Sequence, residues 1–197
     1  MNTSRFQGLP KKALSRIVSI FAKNKLKHSG IHFRAYYDIS IVGGQFISIG
    51  DFFSASKDVA IHAFETSDKK KPEITIGNNV VVTAHSYISC ADRVSIGDGV
   101  LFGVNAFVTD NFHGRGDPNE LLIPPNDREL YSKGPVIIED NVWIGRNACI
   151  MPGVHVGQGA IIGSNSVVTH DVEAFSVVGG VPARTIKTIS NPDSEKH

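Results

Sequence analysis

His113 stands where a regular stretch of sequence gives way to an irregular one, in Val108-Thr109-Asp110-Asn111-Phe112-His113-Gly114. Imidazole is the side chain best able to take and return a proton near neutral pH. A site at the junction of scaffold and loop holds the backbone and leaves the ring accessible. That suits activation of a weak nucleophile such as an alcohol. Of the other seven histidines, His62, His155 and His170 fall at repeat corners or edges, and His28, His32 and His197 lie outside the repeats. His85 falls inside a coil and is the serious rival. Cys90 and Cys149 are far apart, without metal-type spacing or an activating partner. They read as small corner residues in a reducing compartment, and no thiol-based covalent step is expected.

The element that must position His113 is a repeat. An aliphatic residue returns every six positions at Ile138, Ile144, Ile150, Val156, Ile162, Val168 and Ala174. Upstream the same step links Ile49, Ala55 and Ile61, then Ile76, Val82, Ile88 and Val94, then Ile96, Phe102 and Val108, the last run displaced by two. Ile-Gly or Val-Gly pairs recur at Gly50, Gly77, Gly97, Gly145, Gly157 and Gly163. A period of six matches neither a helix nor an ordinary strand. It marks a solenoid, in which each turn buries its inward residue against the turns above and below. β-Branched stretches favour extended backbone. Glycine and small residues two or three places later allow corners. Three flat sides make a triangular coil, and stacked coils make three parallel sheets around an apolar axis.

The chain has 197 residues and a formal net charge of +1. That fits one domain with terminal additions and no global field for nucleic acid. No apolar run approaches bilayer length, and no secretory signal opens the chain. The charge is uneven, since Arg5, Lys11, Lys12, Arg16, Lys23, Lys25 and Lys27 all precede the first acid, Asp38. Leu14, Ile17, Val18 and Phe21 share one face of a helix expected from about Pro10 to Lys27. Two readings of this basic segment, residues 1–30, stay open. It caps the end of the solenoid, or it makes peripheral contact with an anionic membrane surface. Two interruptions break the repeat, at Glu65–Pro72 and, far longer, at Asp110–Pro135. A long loop on a regular scaffold is more often functional than decorative. Residues 189–197 read as a frayed tail.

The repeats, the loop histidine, and the segments Asn141-Val142-Trp143-Ile144-Gly145, Met151-Pro152-Gly153-Val154, Ile162-Gly163-Ser164-Asn165-Ser166-Val167-Val168 and Gly180-Val181-Pro182-Ala183-Arg184 resemble the hexapeptide-repeat acyltransferases. The resemblance covers roughly residues 40 to 188. It implies an all-β, left-handed parallel β-helix with a short N-terminal helix and an extended active-site loop. The domain would then run over 31–188. Within the family the chain is most similar to the sugar acetyltransferases. It is closer still to the O-acetyltransferases of bacterial surface polysaccharides, a similarity carried by Pro124-Pro125-Asn126-Asp127-Arg128-Glu129-Leu130-Tyr131-Ser132-Lys133-Gly134-Pro135-Val136. Polysaccharide members often read Asp-His-Asn-His-Gly where this chain has Asp110-Asn111-Phe112-His113-Gly114, so contacts to the acceptor are expected to differ.

The resemblance also assigns roles. His113 matches the catalytic base, and Trp143 borders the active-site tunnel. Gly145, Arg146 and Ser164 line the pantetheine arm of acetyl-coenzyme A. Thr169 lies near its nucleotide end, with His170 in place of a usual lysine. Arg184 and Lys187 match the pair that meets its phosphates. Asn111, Phe112, Tyr131 and His85 are the candidates for the acceptor side, His85 standing near the place of an assisting asparagine. The implied reaction moves acetyl from acetyl-coenzyme A to a sugar hydroxyl, in a surface polysaccharide or its precursor. Acetylation of a small sugar or an antibiotic is the nearest alternative, and a non-catalytic scaffold the next. A zinc hydratase on this fold needs three converging histidines, but the nearby loop position that would supply one is Pro118, so no metal is expected. The family implies a homotrimer with active sites between subunits. The expected location is cytoplasmic, or the inner face of the membrane.

Overall fold

A computed structural model describes residues 10–67 and 71–190. The three lysines of the first interruption fall partly outside these residues, as do 191–197 of the tail. The chain winds into a triangular prism of three parallel sheets. The first sheet holds Ile47–Ile49, Glu73–Ile76, Arg93–Ile96, Val136–Ile138 and His155–Val156, and begins with His28–Ser29. The second runs from Arg34–Ala35 through Leu101–Phe102, Trp143–Ile144 and Ile161–Ile162 to Ser176–Gly180, with Ala183–Thr188 added antiparallel at its edge. The third runs from Ser40–Val42 through Ala60–Ala63, Tyr87–Cys90, Phe107–Thr109 and Cys149–Ile150 to Val167–Val168. The coils wind left-handed, against the usual right-handed preference for parallel crossovers.

The period of six fixes the register. Ile144 pairs with Ile162 and Ile150 with Val168, so like stacks on like. Each coil turns inward the aliphatic residue and the one two places before it. Val100, Phe102, Ala106 and Val108 are all buried. Full burial of such a side chain is worth about 1.5–3 kcal/mol, so a slip of one residue would be costly. The displaced run is explained by a coil two residues longer, since Ile76 pairs with Ile96 and Ile88 with Val108.

The corners fall where the sequence reading puts them, with glycine itself in the left-handed position at Gly99, Gly153 and Gly159. The glycine after each aliphatic residue does not turn the chain. The left-handed residue lies three places after the aliphatic one, and is most often asparagine, as at Asn79, Asn105, Asn141, Asn147 and Asn165. Asparagine tolerates this region better than other non-glycine residues. Gly145 is needed for close stacking, because a Cβ there would lie 2.5 Å from the Ile162 carbonyl oxygen and 2.7 Å from the Ser164 nitrogen. Ala174 is exposed, and the inward position passes to Val172, which bridges to Val156. The last corner is therefore shorter than the period predicts. Both cysteines are free and lie on strands rather than at corners.

The N-terminal helix spans Lys11–Lys23, shorter than expected at its C-terminal end. Lys27 already donates its backbone N–H to Gly44 and Ile47 of the solenoid. Val18 and Ala22 are the helix's buried residues, while Phe21, expected on the packed face, is half exposed. Among the described residues, no helix is long and apolar enough to cross a membrane.

Candidate active site

Both interruptions of the repeat leave the prism at the same edge, between the third and first sheets. The longer one is ordered. Asn111–His113 and Leu130–Ser132 form an antiparallel ribbon, with Phe112 opposite Tyr131 and His113 opposite Leu130. Two short 3-10 turns, Glu120–Leu122 and Pro125–Asp127, build its outer end.

A buried polar cluster holds the ribbon's base. The Asp110 side chain is fully buried and accepts the backbone N–H groups of Ala91 and Asp92, each at 2.8 Å. It also accepts the Asn111 side-chain amide at 2.9 Å and the Cys90 thiol at 3.4 Å. Asn111 donates in turn to Ser89 Oγ at 3.1 Å. Burial first, and then the adjacent Asp110 carboxylate, push the Cys90 thiol well above its ordinary range. Cys90 thus acts as a neutral donor, not a nucleophile. Asn111, a candidate for acceptor contact, is spent on this cluster. Sequence reasoning passed over Asp110, although an acid that closes a strand just before a loop is a signal for such an anchor.

The ribbon carries His113 into solvent, and no hydrogen bond or ion pair from its ring is present among the described residues. Residues paired across a ribbon share a face. Phe112 and Tyr131 therefore lie on the face opposite to His113, and Tyr131 has the Arg115 guanidinium 4.7 Å from its ring centre. Beneath the ribbon lies a cavity of about 210 Å³, bounded by Thr66 and Ser67 of the first interruption, Asp92, Arg115, Glu129 and Tyr131. Its walls offer hydroxyl, carboxylate and guanidinium groups.

Most of the remaining candidates lie at another edge, between the second and third sheets. Gly145 and Arg146 occupy one corner and Ser164 the corresponding corner one coil further on. Trp143 is half exposed on the adjoining outer face, beside Leu101 and Ile161. His85 sits at this edge too, at a left-handed corner rather than within a strand. Its Nδ1 is 3.4 Å from Asp58. Thr83 Oγ1, two residues earlier, is buried without a partner among the described residues.

This edge has a property that the sequence signatures carry in their third residue. Between the first and second sheets the corner amides as far as Asp98 are capped by the next coil. The Asp51 N–H donates to Asn78 Oδ1, the Asn78 N–H to Asp98 Oδ1, and the Asp98 N–H to Asp140 Oδ1. Between the second and third sheets the equivalent residues are Val104, Arg146 and Ser164, which offer no such carboxylate or amide. The backbone N–H groups of these three have no acceptor within the described residues. The result is a row of unpaired amide donors beside Trp143 and Arg146, suited to an extended ligand that bears amide and carbonyl groups.

Thr169 and His170 belong to neither group. They lie at the far end of the prism, where Thr169 Oγ1 and His170 Nδ1 are 2.9 Å apart. His170 and Arg184 line one cavity of about 280 Å³ there. Lys187 is exposed on the last strand, Ala183–Thr188. Within one chain, then, the histidine and the donor track stand at different edges, separated by the width of the third sheet.

Comparison with known proteins agrees with this architecture. The bacterial transferase hexapeptide family (six repeats) matches residues 135–170, and the hexapeptide repeat of succinyl-transferase matches 93–109. WbbJ of Escherichia coli strain K12, whose name assigns it to O-acetyl transfer in lipopolysaccharide biosynthesis, is 34% identical over 145 residues, covering 72% of this chain and 71% of that protein. The galactoside O-acetyltransferase of the same strain is 33% identical over 137 residues, 62% of this chain and 66% of that one. In fold, the chain is similar to AntD, an N-acyltransferase from Bacillus cereus crystallised with a sugar nucleotide and coenzyme A. That likeness has a TM-score of 0.71, 20% identity, and coverage of 95% and 92%. The prism of six-residue repeats is the architecture of a class of acyl-transfer enzymes. This chain belongs to the hexapeptide-repeat acyltransferases.

Proposed function

We propose that the protein is an acetyl-coenzyme A-dependent O-acetyltransferase, acting on a hydroxyl of a saccharide that is part of, or destined for, a bacterial surface polysaccharide. The observation that carries the donor half is the row of unpaired amides at Val104, Arg146 and Ser164. They would pair with the amide carbonyls of the pantetheine arm, with Trp143 against its flank. Arg184 and Lys187, at the end of the prism, supply cations for phosphate. The polar cavity beneath the ribbon supports a hydroxyl-rich acceptor. The names of the two Escherichia coli relatives support the same substrate class.

His113 would accept the proton of the acceptor hydroxyl as its oxygen attacks the thioester carbonyl. The developing oxyanion needs N–H donors in a water-poor site. The C–S bond then breaks, and His113 returns its proton to the departing sulfur. No covalent intermediate on the protein is required.

Because His113 and the donor track lie at different edges, the site is completed by another copy. The outer faces support a ring of three. The first sheet presents Ser48, Thr75, Ser95, Ile137 and His155, a mainly polar row, with Thr75 and Ser95 hydrogen-bonded to each other. The second presents Val81, Leu101 and Trp143, and the third His62, Tyr87 and Phe107 in mutual ring contact. Two unlike apolar faces beside one polar face suit a closed heterologous trimer.

Calorimetric titration of acetyl-coenzyme A tests the donor site without any guess about the acceptor. Saturable binding at one molecule per subunit is expected. No binding at millimolar donor overturns the reading.

A further inference from the structure

The N-terminal base of this molecule and the rest of the chain carry opposite charge. The first 37 residues hold eight of the chain's 20 Lys and Arg and none of its 19 Asp and Glu, which leaves 12 cations against 19 anions beyond them. Seven of those eight cations fall within the described residues, on or beside the helix that closes the N-terminal end of the prism. The near-zero net charge of the whole chain hides this separation.

The helix itself sharpens the asymmetry. Lys11 and Lys12 occupy its first turn, no acid lies there, and among the described residues no side chain caps its free N–H groups. Cations at that end oppose the helix dipole, so the position favours an external anion. One outward stripe runs Lys12, Arg16, Ile20 and Lys23, and its apolar member is 61% exposed. Phe21 on its flank is 50% exposed and Ile31 of the neighbouring corner 56%. Large apolar side chains set among lysines in this way suit an interface with headgroups on one side and acyl chains on the other. A nucleic acid would use the cations but leave Ile20 and Phe21 in water.

We infer that the helix-capped base of the prism is a docking surface for an anionic lipid bilayer, on which it lies without inserting a spanning segment. The net-negative remainder of the prism is repelled by the same surface, so the molecule would stand base-down. This inference goes beyond the acetyl-transfer reading and does not depend on it.

Each Lys or Arg close to an anionic bilayer contributes about fivefold to partitioning. The test is co-sedimentation of the whole chain with sucrose-loaded vesicles of phosphatidylcholine containing a quarter phosphatidylglycerol, against vesicles of phosphatidylcholine alone. Binding to the first and not the second is expected, with strong loss at high salt. The triple variant K11E/K12E/R16E should bind at least about a hundredfold more weakly. A second variant, I20S/F21S, keeps every cation and should bind severalfold more weakly, because apolar burial is lost. All five positions are exposed, so unchanged circular dichroism is expected for both variants. Equal binding to the two vesicle types, no binding to either, or full binding by the triple variant overturns the inference. Retention of full affinity by I20S/F21S also overturns it, in favour of a purely electrostatic contact with polyanions.

Discussion

At the residue scale, the proposed chemistry rests on few atoms. His113 leaves the prism on a ribbon whose base is fixed, and its ring is committed to nothing among the described residues. His113→Ala is expected to lower turnover by about 10² to 10⁴-fold, with thermal denaturation unchanged because the residue is exposed. Full activity in that variant would move attention to His85, whose Nδ1 faces Asp58 at 3.4 Å. His113 could be picked from the sequence because it follows directly on the last regular strand. The limits of Phe112 and Tyr131 could not, since the ribbon that turns them to the opposite face from His113 pairs residues nearly twenty positions apart.

Elements decide whether those residues are held in place. The ribbon's anchor is Asp110, which satisfies two backbone N–H groups of the coil below. Asp110→Ala would leave buried donors unpaired, at about 1–3 kcal/mol each. A loss of about 2–4 kcal/mol in a denaturant titration is expected, together with a fall in activity larger than the unfolded fraction explains. A loss of stability with activity per folded molecule unchanged would show that the ribbon does not need this anchor. A second element-scale effect is acid sensitivity. Glu139 accepts the Gln158 N–H at 2.7 Å and the His155 ring at 2.8 Å, and these bonds, the first above all, hold its carboxyl below the ordinary range. A depressed carboxyl stabilises the fold above its unfolded value of about 4.3, and that contribution is lost as pH falls through the folded value. Glu139→Gln should therefore show a shallower decline of melting temperature below pH about 4.3 than the parent. Identical slopes would remove Glu139 from the account. The coil corners were half legible. The repeat placed them, but the division of labour between stacking glycines and left-handed asparagines depends on how near the next coil lies.

For the whole molecule, the separation of His113 from the amide row makes a prediction about assembly. A His113→Ala chain and a Trp143→Ala chain, each inactive alone, should regain activity when refolded together. If each site draws one group from each of two neighbours, random mixing restores about a quarter of the sites. No recovery, or an active monomer in sedimentation, would refute the shared site. The sequence by itself determined the solenoid, its period, the inward residues, the place of the long loop and the basic first segment, because each follows from side-chain type at fixed local spacing. It also contained the amide row, since Arg146 and Ser164 stand where Asp51, Asn78 and Asp98 stand at another edge. Only the tertiary structure decided which edge each residue occupies, that the loop is a ribbon pinned by a buried carboxylate, and that His113 and the amide row do not meet within one chain. Those are properties of stacking between coils 18 to 42 residues apart in sequence, and no local pattern encodes a distance across a prism.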